Sequence, residues 1–562
     1  MSEMKTAPAL LEGPALEKDD GYRSILDVFE KACAQYADRP AFTCMGSTLT
    51  YKGMKDLVDR FAHWIITQTR MSPGDRLAIV LPNLLQYPVA VFGALKAGLV
   101  VVNTNPLYTA DEMHHQFADA GVTGVVIFAH MADKLEAVLK RMTIEHVIVT
   151  EVADLHSWPS RLKYNLGARY IARQVPRYHL PNAVSMRQVL KGKGQVDDQR
   201  WGRDDDLAIL QYTGGTTGTP KGAMLSHANL VANMRQTGEV LGSAVTRGQE
   251  TIIAPLPVYH IYTFTVNCMF GCETGNHSIL IPNPKDLDGF VKTLAQQPFS
   301  AFIGLNTLFA ALCRREDFKK LDFSHLKLSV SGGMALNTTT ANRWYEITGS
   351  AVLEGYGMTE TSPVVCVNPP DKIQPGAIGR PVAGTRLQVL DENDQPLGYD
   401  TPGELCVQGP QVMKGYWNLP EETAKTLFDD GWVRSGDIAV LQRDGFVRIV
   451  DRKKDMIVSS GFNVYPNEVE DVLLGHEDVH EAAVIGVPDE DSGESVVAFI
   501  VPRNGASLDS EALKKWCRRE LTGYKVPRRF EFRDQLPRSN VGKVLRRALR
   551  DELSGDSSQN AS

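Results

Sequence analysis

Ten residues in the first half of the chain gather the groups that a polyphosphate needs. The stretch Tyr212-Thr213-Gly214-Gly215-Thr216-Thr217-Gly218-Thr219-Pro220-Lys221-Gly222 holds four threonines, four glycines and one lysine from Thr213 onward. Glycines let successive backbone N–H groups turn toward one anion, hydroxyls donate further hydrogen bonds, and the ammonium adds charge. An apolar run, 207–212, leads into it, and a helical pattern starts near Ser226. The spacing is not that of a Walker A loop, because no Gly-Lys-Ser/Thr closes it. A flexible turn without a ligand is the plainer alternative, and the density of donors weighs against it.

Five more segments carry candidate groups. Gly355-Tyr356-Gly357-Met358-Thr359-Glu360 sets an aromatic face between two glycines, which suits purine stacking, and follows it with a hydroxyl and a carboxylate. Such an oxygen ligand suits Mg²⁺, which takes only one or two protein carboxylates in nucleotide sites. Ser435-Gly436-Asp437, read alone, is a turn. Asp451-Arg452-Lys453-Lys454-Asp455 has no apolar phase and reads as a solvated linker. Gly461-Phe462-Asn463-Val464-Tyr465-Pro466 and Pro537-Arg538-Ser539-Asn540-Val541-Gly542-Lys543 complete the set, with Arg546, Arg547 and Arg550 adding a basic surface around Lys543. His260 stands among aromatics in Val258-Tyr259-His260-Ile261-Tyr262, where a packed core histidine and a functional one fit equally. His114-His115 has no companion ligands. The eight cysteines are scattered without CxxC pairs, which predicts reduced, mostly buried thiols.

Together these segments resemble the adenylate-forming enzymes: acyl-CoA synthetases, firefly-type luciferases and peptide-synthetase adenylation domains. The resemblance spans about residues 24–553, and its specificity lies in the motifs occurring in family order at approximate family spacing. It implies that ATP is held by Thr213, Gly214, Gly215, Thr216, Thr217, Gly218 and Lys221 of the loop, and by Gly333, Tyr356, Gly357, Thr359, Asp437, Arg452 and Lys543. It places Mg²⁺ beside Thr213 and Glu360, and the Asp437 carboxylate on both ribose hydroxyls. Arg452 would reach ribose and phosphate, and Lys454 would be the pivot of a mobile C-terminal domain. Gly461 would leave room for the pantetheine arm of coenzyme A. Lys543 is implied as the adenylation residue, between the acyl carboxylate and the α-phosphate, with Glu360 and His260 as further catalytic candidates.

The segments Pro82-Asn83-Leu84-Leu85-Gln86-Tyr87-Pro88-Val89-Ala90, Asn103-Thr104-Asn105-Pro106-Leu107-Tyr108 and 451–470 are similar to the bacterial long-chain fatty acyl-CoA synthetases of β-oxidation. That implies fatty acid, ATP and coenzyme A as partners. Arg434-Ser435 departs from the His-Thr of many relatives, with little consequence expected because Gly436 and Asp437 are kept. Other readings stay open: a ligase for medium-chain or aromatic acids, a fatty acyl-AMP ligase serving a carrier protein, and a non-catalytic acyl-binding or uptake protein on a degenerate scaffold. Intact Thr359-Glu360, Asp437 and Lys543 weigh against the last. A peptide-synthetase domain would want a pocket aspartate and a carrier after Lys543, and none follows.

Positioning such groups takes a large α/β body. The 562 residues, 43% hydrophobic and 23% charged, suit a globular protein of two or three packed units. Helical spacing over Met54, Leu57, Val58, Phe61, Trp64 and Ile65, then apolar runs at 77–81, 99–102 and 122–128, predict a parallel sheet covered on both faces. A second such region spans 206–357, with strands expected at 207–212, 251–254, 278–281, 301–303 and 326–330. Short strands over 376–450 predict a small β-barrel. Beyond 455 a helix at 467–474, strands at 482–487 and 496–501 and a helix at 510–521 predict a small α+β unit.

The expected division is therefore 1–450 as the N-terminal domain, comprising two doubly wound α/β subdomains (24–200 and 201–375) and a barrel (376–450). A hinge at 451–455, a mobile C-terminal domain at 456–553 and a disordered tail at 554–562 complete it. The net charge of −7 gives no reason to expect nucleic acid. Without an apolar N-terminal region, and with Pro82 and Pro88 splitting the longest uncharged run, the expected place is the cytoplasm. One stretch, 158–193, mixes cations with Trp158, Leu162, Tyr164, Leu166, Tyr170 and Ile171 and holds no acid. It suits peripheral contact with an anionic membrane, or a solvated basic face. The apolar 298–312 run fits either an acyl-tunnel wall or plain core. Long-chain members of the family are often dimers, so a homodimer is a further expectation.

Overall fold

The computed structural model describes residues 8–16, 21–192, 194, 196, 203–213, 220–459, 462–489, 492–503, 506, 508–538 and 544–559. Two large sheets form the body. The first has seven strands in the order Lys221–Ser226, Leu207–Thr213, Val100–Asn103, Arg76–Val80, Val122–Phe128, His146–Thr150 and Val184–Ser185, parallel except for the hairpin formed by the first two. The second has nine, with a parallel centre running Val352–Gly357, Leu328–Gly332, Ala301–Gly304, Thr251–Ala254 and His277–Leu280.

Strand alternation explains how they stack. Leu77, Ile79, Val101, Val126 and Ile209 of the first sheet share one core with Ile252, Ala254, Leu280, Ile303 and Val330 of the second. Their alternate neighbours face outward into separate cores: Ala78, Val80, Val102, Val125 and Leu210 on one side, Ile253, Ile279, Phe302 and Val352 on the other. Successive side chains of a strand point to opposite faces, so each sheet is apolar on both. Helices Ile25–Gln35, Tyr51–Gln68, Gln86–Lys96 and His227–Leu241 fill the shared layer.

Chain order does not divide the sheets at residue 200. Leu207–Thr213 and Lys221–Ser226 belong to the first sheet, while Pro40–Cys44 and Ser47–Thr50 complete the second through parallel pairing with His277–Leu280. The 376–450 region is a five-stranded antiparallel sheet ordered Leu11–Glu12, Arg386–Leu390, Gly403–Gln408, Val433–Leu441 and Val447–Arg452. Its ladder has two edges, and one of them borrows a strand from the N-terminus.

The C-terminal unit packs helices Pro466–Leu474 and Ser510–Glu520 on strands Val479–Asp489 and Gly493–Pro502. Its last helix, Arg546–Gln559, runs past the expected start of a disordered tail at 554, a helix nucleated upstream propagating through the weak helix formers Ser554, Gly555 and Asp556. All eight cysteines are buried free thiols. Among the described residues no helix is long and apolar enough to cross a membrane.

Candidate functional site

The strands of both sheets end near one another, and their ends carry the candidates, as crevices at the carboxyl ends of α/β strands do. Thr213 closes Leu207–Thr213 and faces Lys221 across the hairpin. The loop between them therefore joins two antiparallel strands, and the helix comes only after Ser226, which caps it. Gly214, Gly215, Thr216, Thr217 and Gly218 lie outside the described residues. The Lys221 ammonium meets Glu422 and sits 5.1 Å from the centroid of the Tyr416 ring.

Tyr416 arrives on a segment that continues the hairpin ladder: Met224 N–H donates to Gly415 O at 2.9 Å and Trp417 N–H to Gly222 O at 2.8 Å. Its hydroxyl donates to Glu360 Oε1 at 2.7 Å. Burial, then Glu360, pushes the phenol far above its ordinary range, so it donates at every working pH. Glu360 is buried, and Met413 N–H donates to its backbone oxygen at 2.8 Å. One carboxylate oxygen is thus fixed and the other remains for a ligand. Sequence reasoning missed Tyr416, although the triplet Gly415-Tyr416-Trp417 offers an aromatic after a glycine just as Gly355-Tyr356 does.

Asp437 forms the second cluster. It is buried, lies opposite Arg452 in the antiparallel register of Val433–Leu441 and Val447–Arg452, and accepts from Tyr356 Oη at 2.5 Å on Oδ2. Arg452 Nε lies 3.1 Å from Oδ1. Each carboxylate oxygen keeps a lone pair beyond these bonds. Ser435 Oγ donates to Leu405 O at 2.7 Å and accepts from Asp437 N–H at 3.0 Å, which sets the turn. Arg434 pairs with Glu404 at 2.8 Å, and Lys453 reaches the same carboxylate at 2.9 Å, so this arginine braces the segment before the hinge.

Gly357 serves the chain itself. A Cβ there would stand 2.0 Å from Pro363 O, so only glycine lets the strand pass the 362–363 turn. Gly333 has φ +84°, a left-handed conformation at the end of Leu328–Gly332. Thr359 opens a short 3₁₀ turn, Thr359–Thr361, that leads directly into Glu360. His260 is exposed and its Nδ1 accepts from Tyr262 N–H at 3.3 Å, which removes the packed-core reading of that residue.

The 451–455 run is less solvated than its composition suggests. Asp451 is fully buried and accepts from Asn467 N–H and Arg452 N–H, both at 2.7 Å. Asp455 is also buried and takes Arg550 at 3.0 Å, while Arg546 reaches Glu470 at 2.8 Å and Asn467 at 3.0 Å. Burial lifts Asp451 to about 6 and Glu470 to about 7. Arg546 and Arg550 therefore belong to an internal network and not to a basic surface, because buried carboxylates need charged partners. Lys454 is exposed between them. Gly461 and Lys543 lie outside the described residues.

A cavity of about 230 Å³ is lined by Leu336, Asn342, Tyr345, Glu354, Ile373 and Gly376. Glu354 Oε2 accepts from Leu336 N–H at 3.2 Å, and burial lifts its carboxyl to about 7. A carboxyl raised from its unfolded value binds protons preferentially in the folded state, so its contribution to stability falls as pH rises between about 4.3 and 7. Glu354→Gln is expected to raise the thermal midpoint at pH 8 and leave it nearly unchanged at pH 4, below both values. Equal shifts at both values would show that the charge is irrelevant.

The 298–312 run is core in part, with Leu305 to Leu308, Ala310 and Ala311 only half-buried. Phe302, Phe309 and Leu312 are fully buried, and Trp344 lies 5.0 Å and 4.6 Å from the two phenyl rings.

Known proteins resemble this chain over nearly its whole length. Residues 29–417 match the AMP-binding enzyme family, and residues 468–543 match the AMP-binding enzyme C-terminal domain. The long-chain-fatty-acid–CoA ligase of Escherichia coli O157:H7 is 48% identical over 538 residues, covering 95% of this chain and 96% of that protein. A protein of the same description from Bacillus subtilis is 35% identical over 541 residues, covering 94% of each chain. ATP-bound MatB from Rhodopseudomonas palustris is similar with a TM-score of 0.81 at 29% identity, covering 94% of this chain and 98% of that one.

Proposed function

The chain belongs to the AMP-binding enzyme family, and from that premise we propose that it joins long-chain fatty acids to coenzyme A in two steps. The carboxylate of the acid attacks the α-phosphorus of ATP, the bond to the β-phosphate oxygen breaks, and acyl-AMP and pyrophosphate result. The thiol sulfur of coenzyme A then forms the thioester as the acyl–oxygen bond to AMP breaks, the thiol proton leaving to solvent. The acyl chain length comes from the likeness to the 48% identical ligase.

The observation that carries the nucleotide half is the buried Asp437, preset by Tyr356 and Arg452 with lone pairs left for two ribose hydroxyls. Tyr356 then presents its ring for stacking against the base. Preset acceptors cost no reorganisation on binding. Burial and Asp437 together hold the Tyr356 phenol protonated, so it donates to Asp437 throughout the cycle.

Mg²⁺ fits the residues present as a companion of ATP. Among the described residues no cluster of three metal-ligating side chains exists, which suits an ion held mainly by phosphate oxygens. Glu360, with one oxygen fixed by Tyr416, and the Thr213 hydroxyl would hold it. When bound it offsets phosphate charge. Gly214 to Gly218 with Lys221 would cradle the phosphates, Arg452 would reach the ribose and phosphate, and Thr359 the phosphate. Lys543 would orient carboxylate and α-phosphate and offset the negative charge that builds between them. Turning about Lys454 would remove Lys543 and bring Gly461 beside the thioester site. His260, which matches a family position on the acyl and coenzyme A side, would contact either. We place the enzyme in the cytoplasm, with 158–193 toward the membrane, and a homodimer remains part of the proposal.

The test is coenzyme A-dependent AMP formation from ATP across fatty acids of graded length. Turnover greatest with long chains is expected. Activity confined to short or aromatic acids would overturn the substrate, and AMP release that ignores coenzyme A would overturn the second step.

A further inference from the structure

We propose that Trp158–Ile171 is an in-plane docking element for an anionic lipid surface. It deepens the reading of this protein as a fatty-acid ligase, and rests on it only for the purpose of docking. The segment is helix Trp158–Leu166 continued by a wider turn, Gly167–Ile171, closed by the Ala172 N–H bond to Gly167 O at 2.8 Å. No residue in either part is buried. Trp158 is 67% exposed, Leu162 48%, Leu166 44%, Tyr170 69% and Ile171 86%.

Trp158, Leu162, Leu166 and Tyr170 recur every fourth residue. In an α-helix such a series drifts by about 40° at each step, because four residues overshoot the 3.6-residue turn. A turn closed from i to i+5 advances each residue through a smaller angle, which swings Tyr170 back into line with Leu162 and Leu166. The wider turn thus extends one apolar stripe along about 18 Å at 1.5 Å per residue.

The other flank fastens the element to the body. Asn165 Oδ1 accepts from Ala153 N–H at 2.9 Å, its amide donates to Asp154 at 3.2 Å, and Arg169 pairs with Glu151. Tyr164 packs edge-on against His156, with centroids 5.8 Å apart. The stripe is therefore held outward on a fixed base, not on a loose strand of chain.

Charge selects the occupant. Residues 155–196 contain no aspartate or glutamate, and Lys163, Arg173, Arg177, Arg187 and Lys191 are exposed there. A second copy meeting this helix about a twofold axis would bring Lys163 and the cations that follow the helix, Arg173 and Arg177, toward their own copies with no acid in the segment to answer them. An anionic bilayer accepts both features at once: phosphates for the cations, the acyl boundary for the stripe, and a tryptophan at the interface.

The test uses the full chain without nucleotide, sedimented with vesicles rich in phosphatidylglycerol or made of phosphatidylcholine alone. Binding to the anionic vesicles is expected, weakened at least about tenfold by Leu162→Glu/Leu166→Glu, as loss of buried apolar area predicts. Arg173→Gln/Arg177→Gln should weaken it and flatten its salt dependence. Unchanged thermal midpoints and unchanged ATP–pyrophosphate exchange with dissolved fatty acid show that the variants fold. Equal binding by wild type and both variants, or no binding to anionic vesicles, overturns the proposal. A dimer that the leucine variant splits would assign the stripe to a second copy and overturn it too. If exchange fails in the wild type while vesicle binding follows the pattern above, the ligase reading falls and the docking surface stands.

Discussion

Lys543→Ala is expected to slow acyl-AMP formation by roughly 10²–10³-fold, the usual cost of removing one donor aimed at developing negative charge. The carboxylate and the α-phosphate are both anions, and bringing them together without a cation between them meets repulsion in a cleft that screens poorly. The second step has no such need, because a mixed anhydride is already reactive toward a thiol. Preformed acyl-AMP should therefore pass to coenzyme A at close to the wild-type rate. The measurement is ATP–pyrophosphate exchange beside single-turnover thioester formation from added acyl-AMP. A variant that loses both steps equally would mean a structural role for Lys543, and one that loses neither would move adenylation elsewhere.

Asp437→Ala is expected to raise the KM for ATP by about 10²–10⁴-fold, from two hydrogen bonds to a charged acceptor at about 1.5–3 kcal/mol each. It also strands the Tyr356 hydroxyl, at a cost to stability of about 1–3 kcal/mol for a buried donor without an acceptor. These two losses separate in a double variant. Tyr356→Phe/Asp437→Ala removes both partners and should recover much of the stability while leaving the ATP defect in place. Recovery of ATP binding in that double variant would show that the aspartate acts only by placing the tyrosine.

Much of the architecture was legible in the sequence. The strands Val122–Phe128 and Thr251–Ala254 carry the boundaries the apolar runs predict, because a parallel strand covered on both faces must be apolar throughout. Ser226 signals its helix by its cap, yet the strand Lys221–Ser226 before it was hidden. Its Lys-Gly opening belongs to the loop in composition, and its pairing partner is what makes it a strand. Sheet membership was equally hidden. Pro40–Cys44 has no feature that points to His277–Leu280, since pairing over such a separation depends on the shape of the whole.

At the site, the identities of Glu360 and Asp437 followed from motif context, while the groups that fix them did not. Tyr416 meets Glu360 from 56 residues away. Arg546 and Arg550 show the reverse error. As composition they make a basic surface, and only the positions of Asp455 and Glu470 turn them into the interior of a joint.

The pairing of Pro40–Cys44 with His277–Leu280 has a consequence for the newborn chain. Synthesis at the usual 5–20 residues per second leaves the early strand waiting about 10–50 s for its neighbour to leave the ribosome. Throughout that interval Phe42 and the helices that follow lack the surface that will cover them, and one flank of the strand has unmet N–H and C=O groups. Holding factors that bind apolar segments should therefore raise the yield of active enzyme most when present during translation, and much less when added to finished chains.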